Sequence, residues 1–127
     1  MSGVAYIDTS CLVAIAFGER GATALARRLS GYDELVASDL LTAELQSAFM
    51  REGVTPRSEL TARLSWIIPD RSLHPEIEMV LAAGYVRAAD CWHLASALYV
   101  VGDPAEMAFL TLDERQRDVA RALGFRD

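Results

Sequence analysis

Four acidic residues stand in apolar surroundings. Asp8 separates "VAYI" from "SCLVAIAF", so a carboxylate sits where a strand passes into a helix. Asp113 occupies the same kind of junction, between "MAFLTL" and "ERQRDVARAL". Glu44 follows Leu41 by three residues and precedes Ala48 by four, which puts it on the helical row that otherwise carries apolar side chains. Asp90 heads a second apolar stripe, with Leu94, Ala97 and Val101 at i+4, i+7 and i+11. An ionised carboxylate withdrawn from water without partners costs several kcal/mol or more. Each of the four therefore requires a cation or several hydrogen-bond donors, and one divalent metal would satisfy them together if the fold gathers them.

Local explanations exist for each acid taken alone. Asp8 and Asp113 suit the N-caps of the helices that follow, Asp113 with Gln116 as its capping-box partner. Asp90 could cap a helix beginning at Cys91, although "YVRAA" before it already reads as helical, and Glu44 could pair with an arginine. That reading needs four coincidences, whereas a metal site needs one cause.

The elements that must position these acids alternate along the chain. Val4 to Asp8 reads as a strand and Ser10 to Phe17 as a helix, punctuated by Gly18 and Gly21. A helix over Ala22 to Leu29, closed by Gly31, precedes a brief strand at Leu35 to Ala37. From Asp39 to Arg51, Leu41, Leu45, Ala48 and Phe49 form one buried helical face, which Gly53 ends. Thr55 and Pro56 make an N-cap and N1 pair, predicting a helix to about Trp66, and "IIPDRSLHPE" is an extended passage. Pro75 opens a helical region divided near Gly84; "MAFLTL" is a strand, "ERQRDVARAL" a helix closed by Gly124, and "GFRD" at most the start of another edge strand. This alternation predicts a parallel sheet with helices on both faces, built through right-handed crossovers. Ligands of such sheets bind outside the carboxyl ends of the strands, where Asp8 and Asp113 stand. With no repeat or long linker, residues 1–127 read as one domain.

Composition narrows the classes. A 52% hydrophobic content suits a packed core, and no run of about 18 apolar residues suggests a membrane span. The formal net charge of -6 opposes coating of nucleic acid by bulk electrostatics. All twelve basic residues are arginine, so any phosphate contact uses the planar guanidinium fork. Cys11 and Cys91 lack metal-binding spacing and read as buried thiols of a cytoplasmic protein.

The stretches "YIDTSCLVAI", "LLTAELQSAF", "VRAADCWHLASAL" and "FLTLDERQRDVARALGF" occur in the order and spacing of a PIN domain, and the chain most resembles the VapC-type toxin ribonucleases over nearly its full length. The resemblance implies a three-layer α/β/α sandwich around a parallel sheet, with Asp8, Glu44, Asp90 and Asp113 around Mg²⁺ or Mn²⁺. Asp8 and Asp90 are the leading metal ligands on that basis, Ser10 and Thr111 are accompanying hydroxyls of the site, and Thr9 stands behind them. It further implies endonucleolytic cleavage of RNA, a cognate antitoxin covering the acids, and a homodimer. Oxygen ligands suit Mg²⁺, and a second ion about 3.5–4 Å from the first would stabilise the leaving oxygen of an in-line displacement. His93, three residues after Asp90, reads as a packed core residue and not a ligand. Arg87, one turn before Asp90, either holds an RNA phosphate, neutralises the acids or is solvated; Trp66 and Trp92 read as core or interface.

Other classes fit less well. A phospho-receiver domain uses a lysine that this chain lacks, and a DxD phosphatase would carry an acid where Ser10 stands. A PIN-fold binding module without catalysis and a housekeeping RNA-processing nuclease remain as alternatives.

Overall fold

Strands buried on both faces must be apolar at successive positions, and "VAYI" and "MAFL", the strands that lead to Asp8 and Asp113, are short runs of that kind. The structure, a computed structural model, describes residues 3–127. Strands β1 (Val4–Ile7), β2 (Glu34–Ser38), β3 (Leu64–Ile67) and β4 (Met107–Leu110) form one parallel sheet in the order β3-β2-β1-β4. Helices α1 (Thr9–Ala16), α2 (Ala22–Ser30) and α3 (Leu40–Glu52) connect the first part of the sheet; α4 (His74–Ala83), α5 (Ala88–Val100) and α6 (Glu114–Leu123) belong to the second half.

Alternation along β1 divides the core in two. Ala5 and Ile7 face a layer containing Cys11, Leu12, Leu29, Leu41, Leu45 and Phe49, contributed by the first three helices. Tyr6, with Val36, Ile67 and Phe109, faces Val80, Leu94 and Val119 from the last three. The result is the expected α/β/α sandwich. Gly53 ends α3 with φ 67°, a left-handed conformation that favours glycine.

Two features of the topology make the site. β1 lies between β2 and β4, with Ile7 paired to Leu110, so the chain leaves both strands on one rim. The Asp8 N–H then donates to the Leu110 carbonyl at 2.9 Å. At the amino end of α5, Val86 is buried and Asp90 falls in the helix's first turn, not at its cap.

The helix predicted from Thr55 to Trp66 does not form. Its span holds only a 3₁₀ turn at Ser58–Leu60 before β3, which pairs with β2 from Leu35↔Leu64 to Ser38↔Ile67. Thr55 and Pro56 start nothing, because an open sheet edge offers "LSWI" backbone partners and a place for Ile67 in the core. The terminal segment does add an edge contact: Arg126 bridges Ala108 in parallel, and its backbone bonds to Met107 and Phe109. Both cysteines are free and buried, with the Cys11 thiol pushed up to about 12 by burial and by Asp8. Trp92 packs on the core and bonds to Ser38 Oγ, while Trp66 is partly exposed on the edge strand.

Candidate active site

The end of β1 presents Asp8 as the N-cap of α1, its extended backbone turning the carboxylate toward the first free amides of the helix. Oδ2 accepts from the Ser10 amide at 3.2 Å, from Ser10 Oγ at 2.6 Å and from Thr111 Oγ1 at 3.1 Å. Oδ1 faces Gln116 Nε2 at 3.4 Å. The cap explanation and the site explanation therefore hold together: Asp8 is buried because its oxygens are met by donors from both chain segments on the rim.

Asp113 is likewise the N-cap of α6, accepting from the Gln116 amide at 2.8 Å. The anticipated capping box is only half formed. The fully buried Gln116 side chain does not return to the cap; its Nε2 lies 3.4 Å from both Asp8 Oδ1 and the Asp90 carbonyl, and its Oε1 lies 2.7 Å from Thr111 Oγ1. One amide thus braces three parts of the site. Truncating it in Gln116→Ala removes all three of these contacts at once, and the expected loss is about 1–3 kcal/mol of stability, to be read by urea unfolding.

Asp90 reaches the same rim from α5. Burial raises its carboxyl above the usual aspartate value, and the negative charges of Asp8 and then Asp113 add to the shift; Arg87 and His93 oppose it. Two acids from distant sequence are thus close enough to Asp90 to oppose its ionisation. Arg87 Nε is 3.6 Å from Asp90 Oδ2 on an otherwise exposed side chain.

Glu44 is held differently. Its Oε1 accepts from Thr9 Oγ1 at 2.8 Å and meets His93 Nε2 at 2.6 Å, while that nitrogen is 3.7 Å from Asp8 Oδ1. Partial burial works to raise the Glu44 carboxyl, but the hydrogen bonds from His93 and Thr9 outweigh it and hold the group below the usual glutamate range. Thr9 thus serves Glu44, and among the described residues no arginine does.

His93 is fully buried, as a packed core residue would be, yet it touches two acids. Donor counting fixes its tautomer. Tyr6 Oη accepts from the Ser38 amide at 3.1 Å and lies 2.6 Å from His93 Nδ1. Burial raises the Tyr6 phenol, so the hydroxyl keeps its proton and donates it to Nδ1. The imidazole proton is then on Nε2, directed at Glu44. A lone histidine in an apolar helix gave no sign of this role.

The cleft at this rim, about 370 Å³, is lined by Tyr85, Arg87, Asp90, Asp113 and Arg115. A larger hollow of about 630 Å³ borders Val4, Glu34 and Met107 at the opposite ends of the strands, away from the four acids. Among the described residues, no three His, Cys, Asp or Glu side chains form a ready-made metal cage. The donor chemistry nevertheless fits Mg²⁺, which keeps several waters and binds through one or two carboxylates plus substrate phosphate. Such a cation would relieve the repulsion on Asp90.

The PIN domain family model matches residues 5–122. Among curated proteins, the chain is 31% identical over 126 aligned residues to Ribonuclease VapC46 of Mycobacterium tuberculosis, an alignment covering 94% of this chain and 92% of that protein.

Proposed function

Because this chain belongs to the PIN domain family, we propose that it is a Mg²⁺-dependent endoribonuclease and the toxin of a toxin-antitoxin pair, its 127 residues forming a single catalytic domain. The observation that supports this most is the convergence of Asp8, Asp90 and Asp113 on one strand rim, where Gln116 touches all three residues and Asp90 and Asp113 line one cleft. A carboxylate cluster of this kind is unfavourable alone and becomes useful with a divalent cation.

In this reading Asp8 and Asp90 hold the ion, Mn²⁺ serving as well, with Asp113 and Glu44 completing the acidic set. When bound, the metal supplies Lewis-acid activation for attack of water on a phosphodiester. Ser10 and Thr111 fix the direction of the Asp8 carboxylate through their hydroxyls. His93 keeps Glu44 ionised and oriented by donating from Nε2. Arg87 offers a guanidinium fork to the phosphate at the cleft mouth. Arg87→Ala is expected to raise KM for RNA about tenfold. Its exposed 3.6 Å ion pair contributes little to the fold, so thermal unfolding should barely move.

The partners follow from the same reading: an RNA substrate, a cognate antitoxin seated over the acidic rim, and a second copy in a homodimer. No helix among the described residues is long and apolar enough to cross a membrane, and we place the protein in the cytoplasm. The test incubates the purified protein with structured RNAs in Mg²⁺, in chelator and as Asp90→Asn. Cleavage that survives both metal removal and the substitution defeats the mechanism. The lack of a three-ligand cage among the described residues also suits a catalytically silent binding module; RNA retained but never cut, in any divalent metal, would establish that alternative. A small neighbouring reading frame with a DNA-binding segment distinguishes a toxin from a housekeeping nuclease.

A further inference from the structure

The cleft has a wall that metal chemistry does not use. Gly84 to Arg87 link α4 to α5 in extended form, and a Cβ at Gly84 would meet Val119 Cγ2 at 3.0 Å, so this link lies tight against α6. Val86 is buried, and side chains two apart in an extended segment share a side. Tyr85 and Arg87 therefore both turn outward, and both line the cleft with Asp90.

Tyr85 is 67% exposed, a large aromatic left in water beside the acids. The Arg115 guanidinium, from the first turn of α6, lies 5.8 Å from its ring centroid. Arg115 is exposed and makes no hydrogen bond or ion pair among the described residues. In a chain with a formal net charge of -6, these two arginines are local cations at the acidic cleft.

We propose that Tyr85 and Arg115 form a nucleotide subsite that stacks an unpaired RNA base beside the phosphate held at the acids. The inference rests on the nuclease reading and adds the side chains that would take a base next to the acids. Arg115 steadies the ring and contributes charge to the backbone, while the exposed part of Tyr85 takes the base. Stacking on an aromatic ring tolerates every base, because each has a π-face. It also demands that the base be splayed out of a helix, so loops and single strands are bound in preference to duplex.

The test uses Asp90→Asn protein as the uncut parent and a short fluorescently labelled single-stranded RNA, free or annealed to its complement, read by anisotropy over a salt series. Adding Tyr85→Ala should weaken single-strand binding about tenfold or more and leave duplex binding nearly unmoved. Tyr85→Phe, which keeps the ring, should restore the affinity. Arg115→Ala should weaken binding and reduce the salt slope by about one. With Asp90 intact, Tyr85→Ala should raise KM while kcat holds. RNA cut by the wild type but bound equally by the parent and Tyr85→Ala overturns this inference alone, as does an equal loss on duplex or a Tyr85→Phe loss as large as that of alanine. No RNA binding by the parent and no cleavage by the wild type overturns it together with the nuclease reading.

Discussion

Asp90→Asn should abolish RNA cleavage and, without metal, make the protein harder to unfold. The two effects have opposite signs because the same charge serves the reaction and opposes the fold. Losing a ligand whose cation stabilises developing charge by several kcal/mol removes at least about two to three orders of magnitude in rate. For stability, the folded carboxyl titrates above the ordinary aspartate value. The folded state then holds the proton more tightly than the unfolded chain, so the stabilisation belongs to low pH and disappears as pH rises from the unfolded value through the folded one. At neutral pH the ionised group is a net burden, relieved by a neutral amide of the same shape. Mg²⁺ should reverse the order: a ligand at a hundred times its Kd stabilises the protein that binds it by about 2.7 kcal/mol, a gain the variant largely forgoes. Calorimetric melting in chelator and in Mg²⁺, beside a gel assay of RNA cleavage, reads all of this; a variant that melts lower in chelator contradicts the repulsion, and one that cuts normally contradicts the site.

Much of this arrangement is legible in local sequence because Asp8 and Asp113 mark strand-to-helix junctions, made visible by a carboxylate that ends a short unbroken apolar run just before a helical pattern begins. Their proximity is another matter: it depends on β1 lying between β2 and β4, an ordering fixed by crossovers and not by residues near either acid. Gln116 carries a visible signal that points to the wrong partner. Three residues after an N-cap, it reads as the box residue for Asp113, yet burial directs its amide to Asp8 and to the Asp90 carbonyl. β3 is obscured for a similar reason, since "TP" looks like a helix start and the partner strand that decides the issue lies about 30 positions earlier.

The contact between Glu44 and His93 was beyond local reasoning altogether, joining helices 49 positions apart. It also separates the acids into two kinds. Asp90 is opposed by the negative charges of Asp8 and Asp113, whereas Glu44 is compensated within the protein by the His93 imidazole and a threonine hydroxyl. The two kinds should therefore respond oppositely to acid. Protonation relieves Asp90, while it removes the acceptor that Thr9 and His93 were bonded to.

His93→Ala should cost about 2–5 kcal/mol, the range for truncating a large, fully buried side chain, with the lost hydrogen bonds included. The substitution strips Glu44 of its shortest donor, leaves the Tyr6 hydroxyl proton without its acceptor, and opens a cavity against a fully buried ring. Part of this loss depends on pH. Because Glu44 titrates below its ordinary value in the folded protein, its contribution is present above the unfolded value and lost as pH falls through the folded one. The wild type should weaken on acidification across that window more than His93→Ala does, so their stabilities converge in acid. His93→Gln, which can keep a donor toward Glu44, should fall between them. Tyr6→Phe removes the other end of the relay, leaving His93 Nδ1 and the Ser38 amide unpartnered for about 1–3 kcal/mol. Since both substitutions break the same chain of bonds from Ser38 through Tyr6 and His93 to Glu44, the double variant should lose less than their sum. Urea unfolding of the four proteins measures that coupling, and strict additivity would show that the imidazole tautomer is set by something other than the Tyr6 hydroxyl.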